Sequence, residues 1–339
     1  MLSSKLPKNI LHAHIALLIT NLIWGAAGPV IKLTLEYIPP FTFLFVRFLL
    51  VGIIMLPYAV YKLHREPVDK RDLFNFLLLG LFGQSAIALA FVALKYTTAL
   101  DYVIISVIGT VLAVAAGHYF YKEKVSTRMK WGLILASLGT IFVILEPVFT
   151  GGHSGGSSEV AIESRLFGNV LGLLYGLSWL IYVVWSKFSM GEQSKILKKD
   201  LSFIHIKPMV RKYSPALIVT VTFYIGIITL APFALLEKLT ASAPEYANFD
   251  LFALNPVAVF GLLYMVVFSS IIAYLLNQWA IGHAKVSDQA VYSYLSTVFT
   301  FPFAFLLLGE VPNMYMLVGG AIIALGVILA ESVGSVDEK

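Results

Sequence analysis

Long uninterrupted apolar runs are the feature that most limits the folds open to this 339-residue chain. Ten such runs, each about twenty residues or longer, are separated by short breaks that carry most of the charges. A helix that crosses a bilayer needs about 20 apolar residues. Only 13% of the residues are charged and 59% are apolar, against about 25% and 45–50% in soluble domains. The sequence therefore predicts a polytopic membrane protein, and excludes a soluble enzyme, a disordered protein and a nucleic-acid binder.

The runs are long, continuous and rich in Leu, Ala and Gly, which is typical of helices rather than of the alternating strands of a barrel. We therefore predict an all-α membrane protein with ten transmembrane helices. The predicted spans lie near residues 13–34, 41–61, 73–94, 99–121, 128–149, 166–187, 215–236, 256–281, 286–308 and 313–333.

The basic residues predict the orientation of the chain, because loops on the cytoplasmic side carry an excess of Lys and Arg. With the N-terminus inside, nineteen of the 24 basic residues fall in inner breaks and four in outer breaks, and Arg47 lies within a span. Both termini are therefore predicted to be cytoplasmic, in a multi-pass protein of the cytoplasmic (inner) membrane. The chain has no cysteine, so disulfides and thiolate metal sites are excluded and no cofactor is expected.

The sequence contains an internal repeat. A shift of 187 residues aligns Ala93–Val143 with Ala280–Ala330 without a gap. A weaker match, with a shift of 155, places Trp24 and Lys32 of the first span on Trp179 and Lys187 of the sixth. The longer alignment pairs Asp101 with Asp288, Ser106 with Ser293, Thr110 with Thr297, Glu123 with Glu310, Gly132 with Gly319 and Gly139 with Gly326.

Each copy of the repeat holds five spans, and this odd number reverses the second copy in the membrane. We therefore predict two inverted-topology five-helix repeats, at residues 1–150 and 166–339, joined by an external linker at 151–165. Inverted repeats are an architecture of secondary transporters, in which the two halves exchange conformations to open the carrier on either side.

Several short motifs also resemble a known family. They are Trp24-Gly25 in the first span, Arg47 in the second, the stretch from Ala93 to Ala99 before the fourth, and Gly309-Glu310 after the ninth. Together with the ten spans they resemble the drug/metabolite transporter superfamily, in its bacterial ten-helix EamA-like branch. The resemblance implies a central cavity lined by both halves, and alternating-access export or exchange of small metabolites without ATP.

Two polar stripes are candidate walls of a substrate path. Ser293, Thr297 and Thr300 share one face of the ninth span, and Ser106 and Thr110 occupy the matching face of the fourth. A polar stripe is expected to face the protein interior rather than lipid. The alternative is helix packing, because Ser and Thr often bond their own backbone carbonyls in membrane helices.

Aromatic and amide side chains suggest further cavity walls. Trp24 lies in the first span, Trp179 in the sixth, and Tyr274 and Asn277 in the eighth. Stacking surfaces combined with neutral hydrogen-bonding groups suit an amphipathic organic solute. The alternative is that these rings anchor the helices at the membrane interface or only pack between them.

Three charged residues are candidates for a gate or for coupling to an ion such as H⁺. Arg47 lies about 9 Å inside its span, so we expect it to have a partner or to extend its side chain towards the interface. Its role is either structural or contact with substrate or a gate. Asp101 and Asp288 lie near the mouths of their helices, where acids also stabilise helix N-termini. Glu123 and Glu310 end the two repeats, and we expect them to bond neighbouring backbone.

These features favour a secondary transporter, an exporter or exchanger of small amphipathic metabolites such as amino acids. Its partners are then a small-molecule substrate and the lipid bilayer, and no nucleic acid. A carrier of sugars or nucleotide sugars is the nearest alternative, although phosphate recognition calls for more central cations than Arg47. A membrane scaffold or an intramembrane enzyme is an alternative of another class. No nucleophile motif or phosphate loop indicates an enzyme.

Overall fold

A computed structural model describes residues 8–121, 127–150, 162–191, 194–203, 206–207, 209–240, 254–284 and 286–331. Within these ranges the chain is helical and contains no strand. The helices are α1 Lys8–Thr34, α2 Pro40–Arg65, α3 Leu73–Gly80, α4 Ile87–Tyr96, α5 Ala99–Tyr121, α6 Thr127–Ile144, α7 Glu146–Thr150, α8 Ile162–Ser189, α9 Lys195–Phe203, α10 Pro215–Thr240, α11 Pro256–Tyr264, α12 Ala273–His283, α13 Val286–Leu308 and α14 Met314–Glu331.

Six helical stretches are long and apolar enough to cross a membrane: Leu11–Thr34, Pro40–Arg65, Lys70–Tyr96, Ile162–Ser189, Pro215–Thr240 and Pro256–His283. Large apolar side chains also cover the outside of the bundle. Trp131 is 62% exposed and Leu306 is 74% exposed. Such a surface would be unstable in water and is expected to face lipid. The protein is therefore a multi-pass membrane protein.

The other four predicted spans are also helical, as α5, α6, α13 and α14. One boundary differs from the sequence prediction in a way that affects the site. Helix α8 begins at Ile162 rather than near residue 166. Arg165, which we expected in the exposed linker, therefore lies in the first turn of α8 and is fully buried. The linker residues 151–161 lie outside the described part of the chain.

Two of the spans contain a π-helical segment. Leu81–Ser85 separates α3 from α4, and Met265–Ile272 joins α11 to α12. A π-helical turn is wider than an α-helical turn, so it shifts the hydrogen-bonding pattern of the backbone and often occurs at functional sites. The two segments occupy equivalent positions under the 187-residue shift of the sequence repeat.

Helices α6 and α14 pack closely through glycines. A methyl group added at Gly139 would lie 3.0 Å from the carbonyl oxygen of Gly319, and one at Gly326 would lie 2.7 Å from that of Gly132. Small residues let helix backbones approach in this way in membranes, where van der Waals contact drives association. The two contacts are reciprocal, because the repeat alignment pairs Gly132 with Gly319 and Gly139 with Gly326.

Helices α2 and α10 pack side by side and are joined by carboxylates at both ends. Glu237, near the end of α10, accepts hydrogen bonds from the backbone N–H groups of Phe41 and Thr42 at 3.1 and 2.7 Å. Glu66, just after α2, accepts from the N–H and the hydroxyl of Ser214 at 2.7 and 2.6 Å. Each helix therefore supplies the acid that satisfies free N–H groups at the start of the other.

Candidate functional site

A cavity of about 170 Å³ lies at the centre of the bundle. Its wall is formed by α1, α2, α4 and α5 from the first half of the chain. From the second half it is formed by α8, α12, α13 and the π-helical segment Met265–Ile272. The wall combines aromatic rings with a few polar groups, which are Asn21, Trp24, Arg47, Tyr102, Ser106, Tyr175, Trp179, Ser269, Tyr274, Ser293 and Ser296.

Three of the predicted cavity residues form an aromatic cluster in this wall. The ring centroids of Trp24 and Trp179 are 5.5 Å apart, and those of Trp24 and Tyr274 are 5.3 Å apart, both in edge-to-face arrangements. Trp179 and Tyr274 are 5.9 Å apart. The three rings come from α1, α8 and α12, so the structure brings together residues that are widely separated in sequence. Edge-to-face packing holds the rings in fixed orientations around the cavity.

The π-helical segment Met265–Ile272 contributes hydrogen bonds to the wall. The indole N–H of Trp24 donates to the carbonyl of Ser269 at 3.2 Å. The Ser270 hydroxyl donates to the carbonyl of Met265, five residues earlier, at 2.7 Å. It also accepts a 2.6 Å hydrogen bond from Nε of Arg47. The wide turn therefore positions both Trp24 and Arg47, which is a role that the sequence did not indicate.

The hydroxyl stripes divide between the cavity and the helix contacts. Ser106 and Ser293 line the cavity. Thr297 and Thr300 lie outside the wall. The Thr300 hydroxyl lies 2.8 Å from the carbonyl oxygens of both Gly25 and Ser296, and it can donate to either. The Gly25 carbonyl has no helical donor, because Pro29 lacks an N–H. Thr300 therefore offers this carbonyl a donor across the α1–α13 contact.

The remaining predicted polar residues have different surroundings. The hydroxyl oxygen of Thr297 is buried and makes no hydrogen bond to any described residue. Asn277 is 1% exposed and lies outside the cavity wall. The side chains of Thr110 and Asp288 lie outside the described part of the structure.

Arg47 lies in the cavity wall and is 2% exposed. The guanidinium carbon is 5.5 Å from the ring centroid of Phe48 and 5.8 Å from that of Phe91. Aromatic faces attract a cation but do not neutralise it. No carboxylate pairs with Arg47 among the described residues, so its partners there are the two rings and Ser270.

Asp101 belongs to a buried ion network outside the cavity. Arg165 donates to Asp101 and to Glu146, each at 2.5 Å, and all three side chains are fully buried. Asn313 donates to the other oxygen of Glu146. Sequence reasoning missed Arg165 and Glu146, because 64 and 45 residues separate them from Asp101 and no local spacing links them. The only available signal was that each is a charge at the end of an apolar run.

Two lysines make equivalent contacts at opposite ends of the bundle. Lys32 donates to the carbonyl of Thr97, and Lys187 donates to the carbonyl of Ala284 at 2.7 Å. The shift of 155 residues pairs Lys32 with Lys187, and the shift of 187 residues pairs Thr97 with Ala284. Both lysines approach the short turn that precedes α5 or α13.

Glu310 confirms the expectation that it bonds neighbouring backbone. Its carboxylate accepts from the N–H groups of Ala99 and Leu100, at the start of α5, at 3.0 and 3.1 Å. It also lies 3.8 Å from the ammonium group of Lys32. The described residues contain no group of three or more His, Asp or Glu side chains that could hold a metal ion.

Comparison with known proteins identifies relatives over almost the whole length of the chain. The model of the EamA-like transporter family matches residues 11–145 and 201–331. An uncharacterized transporter of Archaeoglobus fulgidus is 29% identical and covers 94% of this chain and 97% of its own length. A probable amino-acid metabolite efflux pump of Salmonella typhimurium is 24% identical, with 92% of each chain covered. These relatives are named as transporters rather than enzymes.

The fold also resembles a solved crystal structure. The superposition has a TM-score of 0.58 and covers 94% of this chain and 96% of the other, at 15% sequence identity. At that identity the likeness concerns the fold alone.

Proposed function

The chain belongs to the EamA-like transporter family, and from that membership we propose that it is a secondary transporter of small amphipathic metabolites. It exports or exchanges its substrate by alternating access through the central cavity. The observation that carries this proposal is the wall of that cavity, which is built by helices of both halves around the cluster of Trp24, Trp179 and Tyr274. A solute held between two halves is released on either side when the halves change their relative positions.

We further propose that residues 1–150 and 166–339 are two inverted five-helix repeats, joined at 151–165, so that ten helices cross the membrane. Three pairs of contacts support a two-fold relation between the halves. They are the glycine contacts of α6 with α14, the carboxylates at both ends of the α2–α10 pair, and the two lysine–carbonyl bonds. The family model also matches one segment in each half.

Amino acids and related metabolites are the substrate class that we propose first. The Salmonella typhimurium relative is named as a probable amino-acid metabolite efflux pump, and the cavity offers both aromatic surfaces and polar groups for an amphipathic solute. A sugar or nucleotide-sugar carrier is the second candidate. It is less well supported, because Arg47 is the single cation in the described wall and a diphosphate would need more.

The proposed membrane is the cytoplasmic (inner) one, with both termini cytoplasmic. A reporter fused after Lys339 and another inserted near Gly155 should report opposite sides of the membrane. If both report the same side, the inverted repeat and the alternating-access mechanism built on it are wrong. Coupling to an ion such as H⁺, with Asp101 and Asp288 as candidate groups, is part of the proposal. A dependence of the transport rate on an imposed pH gradient would test it.

Transport itself is tested with purified protein in liposomes that contain no ATP. We expect labelled amino acids or related metabolites to exchange across the bilayer, and no exchange in protein-free liposomes. Trp179→Ala should reduce exchange, since it removes a ring from the cavity wall. Trp131→Ala is the matched control, because Trp131 is exposed on the outside of the bundle. A protein that moves no solute, or that is equally impaired by both substitutions, would contradict the proposal.

A further inference from the structure

The charge of Arg47 has no counter-charge among the residues that the structure describes. Its Nε donates to the hydroxyl of Ser270, and its terminal nitrogens make no hydrogen bond to any described residue. The side chain is 2% exposed and forms part of the cavity wall. A buried guanidinium stays protonated, and a buried charge without an opposite partner is strongly unfavourable. A ligand that brings a negative charge into the cavity would supply the missing partner.

Three tyrosine hydroxyl groups also line the cavity. Tyr102, Tyr175 and Tyr274 line the cavity, and their hydroxyl groups make no hydrogen bond to any described residue. The lining that the structure describes contains no Asp or Glu. The Arg47 guanidinium can only donate, and the tyrosine hydroxyls can donate as well as accept, so the wall offers several free donors to the acceptor oxygens of a ligand.

The size and apolar character of the cavity restrict that ligand further. Its volume is about 170 Å³, and an apolar cavity of roughly 150 Å³ holds a benzene ring. One arginine balances one negative charge, and its planar fork matches the two oxygens of a carboxylate. The cluster of Trp24, Trp179 and Tyr274 suits a ring or a short apolar chain.

We propose that Arg47 binds the carboxylate of the substrate, and that the substrates are small organic monocarboxylates with an aromatic or apolar group. This inference rests on the proposed transport function and deepens it by naming the group that is recognised. An ammonium group would meet no carboxylate in the described wall. A carboxylate without an amine is therefore expected to bind at least as tightly as the corresponding amino acid.

Binding of benzoate and benzamide to the purified protein at pH 7 tests the recognition directly. These probes have nearly the same shape, but only benzoate is charged. We expect benzoate to bind about tenfold more tightly than benzamide, because charge-assisted hydrogen bonds are the stronger ones. Equal affinity, tighter binding of benzamide, or no binding of benzoate would overturn the proposal without any variant.

Arg47→Gln should weaken benzoate binding to the level of benzamide and leave benzamide binding within about twofold. Arg47→Lys keeps the charge but lacks the planar fork, so it should retain part of the preference for benzoate. Arg71→Gln is the matched control, because the Arg71 side chain is 70% exposed and is not part of the cavity wall. Unchanged benzoate binding in a folded Arg47→Gln protein would overturn the proposal. If that variant does not fold, the affinities of the wild-type protein for benzoate and benzamide test the proposal by themselves.

Exchange assays in liposomes separate this inference from the transport function. Preferential exchange of benzoate over benzylamine supports both. Exchange of benzylamine without benzoate would leave the carrier function standing and overturn the carboxylate assignment. If no solute exchanges although benzoate binds through Arg47, the transport function fails while the assignment of the binding group stands.

Discussion

The two ends of the bundle share one backbone contact but differ in their buried charges. At the end defined by Lys32, Thr97 and Glu310, which we name the Lys32 end, lysine meets a turn carbonyl beside the network of Asp101, Arg165 and Glu146. At the end defined by Lys187 and Ala284, which we name the Lys187 end, lysine meets the equivalent carbonyl.

The sequence alignment gives the reason for the difference. With the shift of 155 residues the counterpart of Arg165 is Ile10, and with the shift of 187 residues the counterpart of Glu146 is Val333. The lysine contact is therefore common to the two ends, whereas the Arg165–Glu146 pair is present only at the Lys32 end. In the alternating-access mechanism proposed above, this difference between the two ends would favour one conformation of the carrier over the other.

Among the changes at the two ends, removing Arg165 should reduce the stability of the protein most. Arg165→Met leaves two carboxylates buried without their counter-ion, and breaking a buried pair in this way costs about 3–5 kcal/mol. We expect a marked loss of folded protein and of thermal stability in detergent. Ile10→Met, at the equivalent sequence position, is the matched control and should have little effect.

A neutral version of the network checks this interpretation. Combining Arg165→Met with Asp101→Asn and Glu146→Gln removes all three charges, and should recover much of the stability. A stable Arg165→Met single variant, or a triple variant no better than the single one, would show that the network does not hold the Lys32 end.

Replacing Glu310 or Glu123, the acids that end the two repeats, should reduce stability less than the loss of Arg165. The two replacements should change the accessibility of the cavity in opposite directions. Glu310→Gln weakens the bonds to the start of α5 and should cost about 1–2 kcal/mol at the Lys32 end. Glu123→Gln is its counterpart by sequence. Because the chain has no cysteine, Ser293→Cys gives a single reactive site in the cavity wall. Under the proposed orientation, an external, membrane-impermeant thiol reagent should modify it faster with Glu310→Gln and more slowly with Glu123→Gln.

If the modification rate of Ser293→Cys changes in the same direction in both variants, the two acids do not close opposite ends of the cavity. Val298→Cys serves as a background control in the same assay. Val298 is on α13, like Ser293, but it is 62% exposed on the outside of the bundle and is expected to face lipid. It should react slowly in all backgrounds.

Two threonines on α13 allow a finer comparison between cavity and packing roles. Thr297→Val removes a hydroxyl that is buried without a described partner, so the protein should be unchanged or slightly more stable. If Thr297 bonds the substrate when the halves move, binding should weaken by about 0.5–1.5 kcal/mol. Thr300→Val should instead lower the stability and leave substrate affinity unchanged, because it removes the hydroxyl that can donate to the Gly25 carbonyl.

Melting temperature and ligand affinity, measured on the same two variants, separate the roles. Lower affinity in Thr300→Val with unchanged stability would assign the site to Thr300 instead. Unchanged affinity in Thr297→Val would remove Thr297 from the substrate path.

The smallest expected effect is a pH dependence at Glu66. Burial raises its pKa, but hydrogen bonds from Ser214 and the Lys62 ammonium group outweigh this effect, so the pKa is lowered from 4.5. A lowered folded-state pKa means that the stabilisation is present above about pH 4.5 and is lost as the pH falls through the folded value. Glu66→Gln should therefore destabilise the protein by about 0.5–1 kcal/mol at pH 7.

The difference between wild type and Glu66→Gln should shrink as the pH is lowered below 4.5, as followed by thermal unfolding. Glu163→Gln is the control, because Glu163 is exposed. A stability difference that persists at pH 3 would show that the carboxylate charge is not its source. This test concerns one end of the α2–α10 pair, whose other end is held by Glu237.

Sequence alone was sufficient for the class of the protein and for its all-helical fold. Run length predicted the helices, because a spanning helix must be apolar over its whole length. The repeat was readable because both copies keep residues at equal spacing, such as Gly132 with Gly319. The aromatic residues Trp24, Trp179 and Tyr274 were also predicted as cavity residues, and the structure places them in one wall.

Tertiary structure decided which polar groups meet. In a membrane bundle a polar stripe indicates the face that points inward, but it does not tell which of its residues line a cavity and which pack against another helix. For that reason Ser293 and Thr300 looked equivalent, although one lines the cavity and the other can donate to the Gly25 carbonyl. The pairing of Asp101 with Arg165 joins residues 64 positions apart. Such contacts depend on how distant helices pack, and no local spacing encodes them.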